Sequence, residues 1–588
     1  MNTFPFLRYL RTIFIFSIVG FHINSTAQDV KLEFQTEIDD FDQSITTISG
    51  SLIISGIDIL DLTPLSNIIS VGGDLQIINT SLKDRIGFNN LTTINGTLKI
   101  ADNFNLKNTD GLSKLESVGL NINISANNFL ENINSLSNIN FVRDNIYISN
   151  NSRLENVDGL SDISFVSGVL WIFENDLLQD VNGLLNITNV GSLRISGEKI
   201  ESLSGLKNLD TIKSNLDFSG NLILQSLTGL NKLKFVGNDL NIEGNESLLN
   251  LNGLANLEYI GGSLSLLDNQ ILSDINGMIK LTTIEGLLGF FLCPSLRNVT
   301  AFPRLAEINE GIEFQSVGIN NLDWLENVEL RGNLTINLCD SLLNLNGLQS
   351  FKQVQSFLVA GNSGLNSLSG LQNIENVKHD FGISGNSSLL SIEHLDKLKS
   401  IGGGLSITSN ENLQSIQSLE SLDSIGGNLI ITENPQIGNV DAFLNLKRID
   451  KSLFVFDNMN LSECCGLKYL LDNQQISIGE IIIINNNASN CNSKEEILQD
   501  TSPICLVNTK EDYIHSFRVF PNPFNEQIEV LVDNEEVIKL RLYNLSGREV
   551  NNKYNLPIID TEFLTPGVYI LEVLMKNGKW ITERVIKN

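Results

Sequence analysis

One pattern of apolar residues recurs along most of the chain. A representative copy runs from Asn238 to Gly261 and reads NDLNIEGNESLLNLNGLANLEYIG. Its alternation at Leu240 and Ile242 predicts a short strand with one buried face. The later apolar residues follow at steps of three, which continues neither a strand nor an α-helix, and glycines supply turns. One copy cannot bury its apolar side alone, so the pattern predicts a coil with corners that stacks on neighbouring copies.

An asparagine recurs at one fixed place after the predicted strand. Copies follow at a nearly constant spacing, and about seventeen turns fit between Gly50 and Asn458. The column consists of Asn103, Asn127, Asn151, Asn175, Asn221, Asn245, Asn269, Asn362, Asn386, Asn410, Asn434 and Asn458. An Asn turned inward at a corner can satisfy turn amides and the next Asn in the stack. We therefore predict a structural ladder and not a row of ligand-binding amides.

Cys293 and Cys339 occupy the same column, two turns apart. Two turns separate them by about 9.6 Å at roughly 4.8 Å per stacked strand, which is beyond the reach of a disulfide. Both are predicted to be buried thiols outside any disulfide.

The repeat resembles two known architectures. Its strand and Asn, L-x-I-x-x-N, resemble the leucine-rich repeat, and the unit resembles more closely the receptor L domain of insulin-receptor-like ectodomains. The second half, LNGLANLEYIG, is too short and too interrupted by glycine for the helix of a leucine-rich repeat. The fold expected is mainly β, a right-handed parallel β-solenoid. The resemblance covers roughly residues 40–490 and implies binding of partners, without any catalytic activity.

Residues 1–27 read as a secretory signal peptide. Arg8 and Arg11 precede the apolar run Ile13–Val19, and small residues end the segment at Ala27. A retained membrane anchor is the alternative, but the run is too short to span a bilayer comfortably, so no integral membrane segment is expected in the mature chain. The net charge of −29 becomes −31 without the two arginines of the leader. Such a surface repels nucleic acid, and no nucleic-acid partner is expected.

Caps are expected at both ends of the repeats. Residues 28–49 form an incomplete N-terminal turn, residues 50–460 hold the repeats, and residues 461–505 form a C-terminal cap. The last of these contains Cys464, Cys465, Cys491 and Cys505. Adjacent cysteines rarely bond to each other, so Cys464 and Cys465 are each expected to bond Cys491 or Cys505. Zinc binding is the alternative, but paired C-x-x-C arms are lacking.

A change of composition follows the linker at residues 506–516. Residues 517–588 predict a small antiparallel β-sandwich with strands at Phe517–Pro523, Gln527–Val532, Ile538–Leu545, Gly567–Leu574 and Trp580–Ile586. The motifs PNP, YNLSGREV, LTPGVYILEV and the terminal GKWITERVIKN resemble the C-terminal sorting domain of type IX secretion cargo. This resemblance implies a partner, the type IX secretion machinery, and export to the outer surface of a Gram-negative bacterium, often with removal of the domain. A generic Ig-like accessory domain is the alternative.

No pattern of catalytic residues emerges from the repeats. His379, His394 and His515 share no ligand spacing, and no metal or cofactor is expected. The chain is predicted not to be an enzyme. The alternative, a polysaccharide-active β-helix enzyme, needs a cleft that gathers two carboxylates with a basic residue, and the alignment of the repeats predicts no such cleft.

One outward column of the strands carries aromatic residues. It reads Lys99, Asn123, Tyr147, Trp171, Arg194, Asp217, Asn241, Ser265. Tyr147 and Trp171, with Phe173 on the same strand and Arg194 on the next turn, are predicted to form an aromatic shelf that binds a ligand, because such residues are frequent at binding hot spots. The alternative is a surface patch whose side chains cover one another. A second apolar group, covered by the cap or the sorting domain, is predicted at Ile430, Phe454, Phe456, Ile482 and Ile484.

These patterns together predict an exported recognition or adhesion protein. It would bind a protein or glycan ligand, at the cell surface or in the medium, through its repeat solenoid.

Overall fold

A computed structural model describes most of the chain after the predicted signal peptide. The described ranges are 28–197, 199–472, 477–479, 481–500, 517–520, 522–532, 537–544, 548–554, 558–575 and 580–588. The predicted signal peptide 1–27, Cys505 and the predicted linker 506–516 lie outside them. Two compact units divide the chain: Met1–Ile284 with Ala301–Arg304, and Glu285–Thr300 with Leu305–Asn588.

The first unit is a parallel β-solenoid, as the sequence predicts. The alternating segment of each turn forms a strand that pairs in parallel with its counterpart one turn later, for example Leu240 with Leu264 and Ile242 with Leu266. All four side chains are fully buried. The strands of this ladder are Val30–Leu32, Leu52–Ser55, Leu75–Ile78, Leu98–Ala101, Ile122–Ser125, Ile146–Ser149, Phe165–Phe173, Asn189–Ser196, Leu216–Ser219, Leu240–Glu243 and Leu264–Leu267.

A second ladder of very short strands forms another side of each turn. Its members are Thr47–Ile48, Ser70–Val71, Thr93–Ile94, Ser117–Val118, Phe141–Val142, Thr211–Ile212, Phe235–Val236, Tyr259–Ile260 and Thr283–Ile284. Phe165–Phe173 and Asn189–Ser196 are long enough to belong to both ladders.

The apolar residues spaced by three lie in the remaining side, which contains 3₁₀ helices. These helices have three residues per turn, so leucines such as Leu251, Leu254 and Leu257 all face the core, and all are buried. In this unit they are Thr63–Leu65, Asn134–Leu136, Asp158–Leu160, Asn182–Leu184, Ser204–Leu206 and Asn252–Leu254, and a short α-helix, Gln35–Asp39, lies in the N-terminal cap.

The second unit repeats this arrangement with one interruption. Its main ladder comprises Leu287–Phe291, Gly311–Gln315, Asn333–Asn337, Phe357–Ala360, Phe381–Ser384, Leu405–Thr408, Leu429–Thr432, Leu453–Phe456 and Ile482–Asn485. Its short strands are Glu307–Ile308, Glu329–Leu330, Gln353–Val354, Asn376–Val377, Ser400–Ile401, Ser424–Ile425, Arg448–Ile449 and Ser477–Ile478. The short ladder breaks between Glu329–Leu330 and Gln353–Val354, which belong to different sheets. The 3₁₀ helices are Asp323–Leu325, Gln417–Leu419 and Asp441–Asn445, and the α-helices are Cys465–Asp472 and Lys494–Gln499. The described residues of both units hold about 18 turns, close to the predicted number.

The asparagine column forms a hydrogen-bonded ladder in both units. Every predicted member is at most 2% exposed. The Oδ1 of Asn127 accepts from both the backbone N and the Nδ2 of Asn103, each at 3.1 Å, and the Nδ2 of Asn103 also donates to the carbonyl of Ile77. Thr80 takes this position in a turn that lacks the Asn, and its hydroxyl donates to Asn103. At the far end Asn458 donates to Asn487, so Asn487 ends the ladder.

The cysteines divide into two groups. Cys464 and Cys491 form a disulfide with a Cα–Cα distance of 5.8 Å, so neither is a zinc ligand. Cys465 is also disulfide-bonded. Cys293 and Cys339 are buried thiols in the asparagine column.

Where the structure describes the C-terminal tail, its strands form two small antiparallel sheets. One contains Phe517–Phe520, Gln527–Val532 and Ile558–Asp560, and the other contains Val537–Asn544, Glu549–Tyr554, Gly567–Met575 and Trp580–Lys587. Alternating residues such as Leu540, Leu571 and Val585 enclose its core. Glu549–Tyr554 and Ile558–Asp560 are not predicted from the sequence, because EVNNKY has little apolar alternation and the second strand is very short. In the part of the chain that the structure describes, no helix is long and apolar enough to cross a membrane.

Candidate functional site

The strand register brings the predicted aromatic shelf together on one face of the first unit. Tyr147 pairs with Trp171, Trp171 with Arg194, and Arg194 with Asp217. Each of these residues lies between two inward positions of its strand, so its side chain faces outward. Phe173 lies two positions after Trp171 and faces the same way.

Trp171 contacts both of the other aromatic rings. Trp171 stacks on Phe173 with 4.3 Å between ring centroids and 27° between planes. Tyr147 approaches Trp171 edge to face at 6.3 Å. The guanidinium carbon of Arg194 lies 5.1 Å from the centroid of Trp171. These contacts leave Trp171 half-buried, so the predicted residues do form one aromatic group edged by a cation, and part of the Trp171 surface is covered by its neighbours.

Arg194 is fixed from two sides. It lies over Trp171, and its Nε donates to Asp217 Oδ2 at 2.6 Å. Asp217 Oδ1 accepts from Asn241 Nδ2 at 2.7 Å. Asp217 is 9% exposed, whereas the Arg194 side chain is 47% exposed. The Nη atoms of Arg194 donate to no other described residue, so a held guanidinium presents two unused donor groups to solvent.

A shallow groove begins beside this cluster. It has a volume of about 270 Å³, and its lining includes Trp171, Arg194, Asp217, Asn241 and Ser265 of the outward column. These residues lie on five consecutive turns, so the groove extends about 19 Å at roughly 4.8 Å per strand. The repeat pattern did not predict this groove. Two small residues in the sequence indicate the groove. Ser196 and Ser219 line it, and they follow Phe173 in the neighbouring column on the next two turns.

The groove also corrects one prediction about chemistry. Its lining includes two carboxylates, Asp217 and Glu243, together with Arg194, so the prediction that no cleft would gather such a set was wrong. Asp217 lies in the outward column considered above, whereas Glu243 enters from the neighbouring column two positions along the strand. Glu243 is exposed, while Asp217 is engaged on both carboxylate oxygens.

The second apolar group differs in part from the prediction. Ile430, Phe454 and Ile483 share the outward column near the C-terminal cap, and Phe456 lies two positions further on the same face. Ile482 and Ile484 do not share it, because they pair with the inward positions of the preceding strand.

A longer last turn explains this difference. Asn458 and Asn487 are separated by 29 positions, against 24 for Asn434 and Asn458. An odd change in spacing exchanges the inward and outward positions of an alternating strand. The faces of Ile482 and Ile484 are therefore reversed from those expected at constant spacing.

A further aromatic group lies on the short ladder of the first unit. Phe235 and Tyr259 stack with 5.2 Å between centroids and 8° between planes. Lys213 Nζ lies 4.8 Å from the ring centroid of Phe165. Across the described ranges no group of three His, Cys, Asp or Glu side chains could hold a metal ion.

Two family models match parts of the chain. Residues 518–588 match the secretion system C-terminal sorting domain. Residues 45–120 and 398–502 match the receptor L domain. No curated protein matches the chain. The fold and these matches define an exported β-solenoid protein, secreted or located at the cell surface. Its resemblances are to receptor L domains in the solenoid and to type IX sorting domains in the tail.

Proposed function

We propose that this chain is a non-catalytic recognition or adhesion protein that binds a glycan or a protein in the groove beside Trp171. The observation that supports this proposal is the held Arg194, whose guanidinium is oriented by Trp171 and Asp217 before any ligand arrives. A donor that is already oriented loses little conformational entropy when it binds.

The rest of the groove suits a polar ligand with an apolar face. Hydroxyl, amide and carboxylate groups at Ser196, Asn241 and Glu243 can exchange hydrogen bonds with sugar hydroxyls or with a peptide backbone. Trp171 supplies aromatic surface at the end of the groove, and Trp and Arg frequently dominate binding energies. All these groups lie on strands of one parallel ladder, so the distance between groups on neighbouring turns is nearly constant.

A binding screen with the exported chain tests the site. Native protein is applied to arrays of surface glycans and bacterial surface proteins, and the dissociation constant of each hit is measured. The Tyr147→Ala, Trp171→Ala double variant should weaken binding by about 2 kcal/mol or more. The matched control, Phe235→Ala with Tyr259→Ala, removes an aromatic pair from the other ladder and should bind normally. Unaltered binding by the Tyr147, Trp171 variant would exclude this groove.

A polysaccharide-active enzyme is the second candidate, and the pair Asp217 and Glu243 favours it. Glycosidases use two carboxylates on either side of the scissile bond. The engagement of Asp217 by Arg194 and Asn241 favours binding over catalysis, because the carboxylate already accepts from both neighbours. The test is release of new reducing ends from a polysaccharide that the protein binds. Release that falls by about 100-fold or more in Glu243→Gln would establish the enzyme and overturn the non-catalytic proposal.

The tail is proposed to direct export through the type IX machinery, and its match to the sorting domain supports this role. Deletion of Phe517–Asn588 should leave a folded solenoid in the periplasm. Normal amounts of the truncated chain outside the cell would contradict the assignment.

A further inference from the structure

One arginine in the last strand of the tail contacts the solenoid. Arg584, in Trp580–Lys587, places Nη1 3.1 Å from Glu463 Oε2 and 3.4 Å from Asp441 Oδ2. Asp441 is the first residue of the 3₁₀ helix Asp441–Asn445. Glu463 lies two residues before the helix Cys465–Asp472. One guanidinium from the sorting domain therefore joins two carboxylates from two elements near the C-terminal end of the repeats.

This ion-pair cluster is partly withdrawn from water. The side chain of Asp441 is 9% exposed, and those of Arg584 and Glu463 are 29% and 32% exposed. Fully exposed ion pairs contribute little, but removal of one partner from a buried pair leaves an uncompensated charge. Within the described residues, Arg584 is the one basic side chain at ion-pair distance from Asp441. The nearby cations Lys447 and Arg448 pair with Asp423 and Asp450 instead.

The tail holds Arg584 in place by its own structure. Its neighbour Val585 is buried in the tail core, so Arg584 faces outward on the same strand. Asn522 then brackets the backbone of this strand: its Nδ2 donates to the carbonyl of Arg584 at 3.1 Å, and its Oδ1 accepts from the amide of Ile586 at 2.8 Å. The PNP motif therefore braces the strand segment that carries the contact.

We propose that Asp441 and Glu463 form a docking site for the sorting domain of this same chain, with Arg584 as the group they recognise. The site is independent of the groove beside Trp171. While the tail is attached, it covers the acidic pair. Removal of the tail would expose these two carboxylates at the end of the repeats.

Distance measurements between two spin labels test the docking. Exposed Glu411 in the repeats and exposed Glu562 in the tail are replaced by Cys in the full exported chain and labelled under non-reducing conditions. Cys293 and Cys339 are buried and should stay unlabelled. The otherwise native chain should give one narrow distance distribution, and Arg584→Glu should broaden it. Arg548→Glu, the matched control, makes the same charge change at an exposed tail residue and should keep the distribution narrow.

A charge exchange separates docking from damage to the tail fold. Glu463→Arg alone should broaden the distribution as Arg584→Glu does. Because Glu463 lies in the solenoid, this variant leaves the sequence of the tail unchanged. Glu463→Arg combined with Arg584→Glu should restore the narrow distribution, because the pair is re-formed with reversed signs. A narrow distribution in Arg584→Glu, a broad one in the otherwise native chain, or no restoration in the exchanged pair would each overturn the proposal.

Discussion

The side-chain oxygen of Asn269 accepts two hydrogen bonds from Asn245, one from the backbone amide at 3.2 Å and one from the side-chain amide at 3.4 Å. The Nδ2 of Asn245 also donates to the carbonyl of Phe218 at 3.0 Å. One side chain thus connects the turn before it with the turn after it. Asn245 is 1% exposed, so water cannot take over these bonds if the side chain is lost.

Asn245→Ala should therefore lower the free energy of unfolding by about 1–3 kcal/mol, because buried polar groups lose their partners. Chemical denaturation measures the change. Asn252→Ala is the matched control, because Asn252 is an exposed residue of the same turn and should change stability little. If the denaturation midpoint and slope of Asn245→Ala equal those of the native chain, the hydrogen bonds of Asn245 do not stabilise the stacked turns.

The repeat pattern was enough to predict much of the fold. Leu240 and Ile242 alternate, and their counterparts Leu264 and Leu266 recur one turn later, which sets both the inward face and the parallel register. The same register placed the outward column, including Trp171 and Arg194, on consecutive turns. Spacing along the chain carries this information because each turn has nearly constant length.

The details of the site depend on side-chain conformations, which spacing does not contain. Phe173 packs on Trp171, and Arg194 turns toward Asp217. Each of these conformations covers part of the surface of the predicted shelf. The groove exists because small residues such as Ser196 leave space between larger neighbours. Near the cap, a single longer turn was enough to reverse the faces of the last strand.

The corner glycines are predicted to tolerate no side chain where turns touch. A Cβ on Gly253 would lie 1.9 Å from the carbonyl oxygen of Leu227 in the preceding turn. Since this atom belongs to the backbone, Gly253→Ala should cost about 1–3 kcal/mol or more through overpacking. Gly438→Ala is the control, because a Cβ there meets nothing within 4 Å. Equal thermal midpoints for both variants would show that the stacked turns can separate at the corner.

The thiol of Cys339 is predicted to be unreactive in the folded chain. Burial raises its pKa to about 12, and the thiolate is the form that attacks alkylating reagents. At pH 8 iodoacetamide should modify it only after unfolding, as mass spectrometry of the peptide would show. Exposed Glu411, replaced by Cys, supplies a control thiol that should react at once. Rapid modification of Cys339 in native protein would indicate that the core opens at this turn.

Asp441 is predicted to make stability depend on pH. Burial raises its pKa from 3.8 to about 6, and Glu463 also raises it, while Arg584 and the backbone amide of Gly466 lower it. Between pH 4 and pH 6 the folded chain therefore holds a proton that the unfolded chain releases. The contribution of this carboxyl to stability is present at low pH and is lost as the pH rises through 6.

Asp441→Asn should remove this dependence. The free energy of unfolding of the native chain, relative to that of the variant, should fall by about 3 kcal/mol between pH 4 and pH 6, at roughly 1.4 kcal/mol per pKa unit. Arg584→Gln should also weaken the dependence, because release of the tail exposes Asp441 to water and removes the burial that raises its pKa. Denaturation midpoints at several pH values measure both effects, with Asp423→Asn as a control at a carboxylate paired on the surface. If the native chain and Asp441→Asn show the same dependence of stability on pH, Asp441 does not hold a proton in the folded state at pH 5. Its pKa would then not be raised by burial.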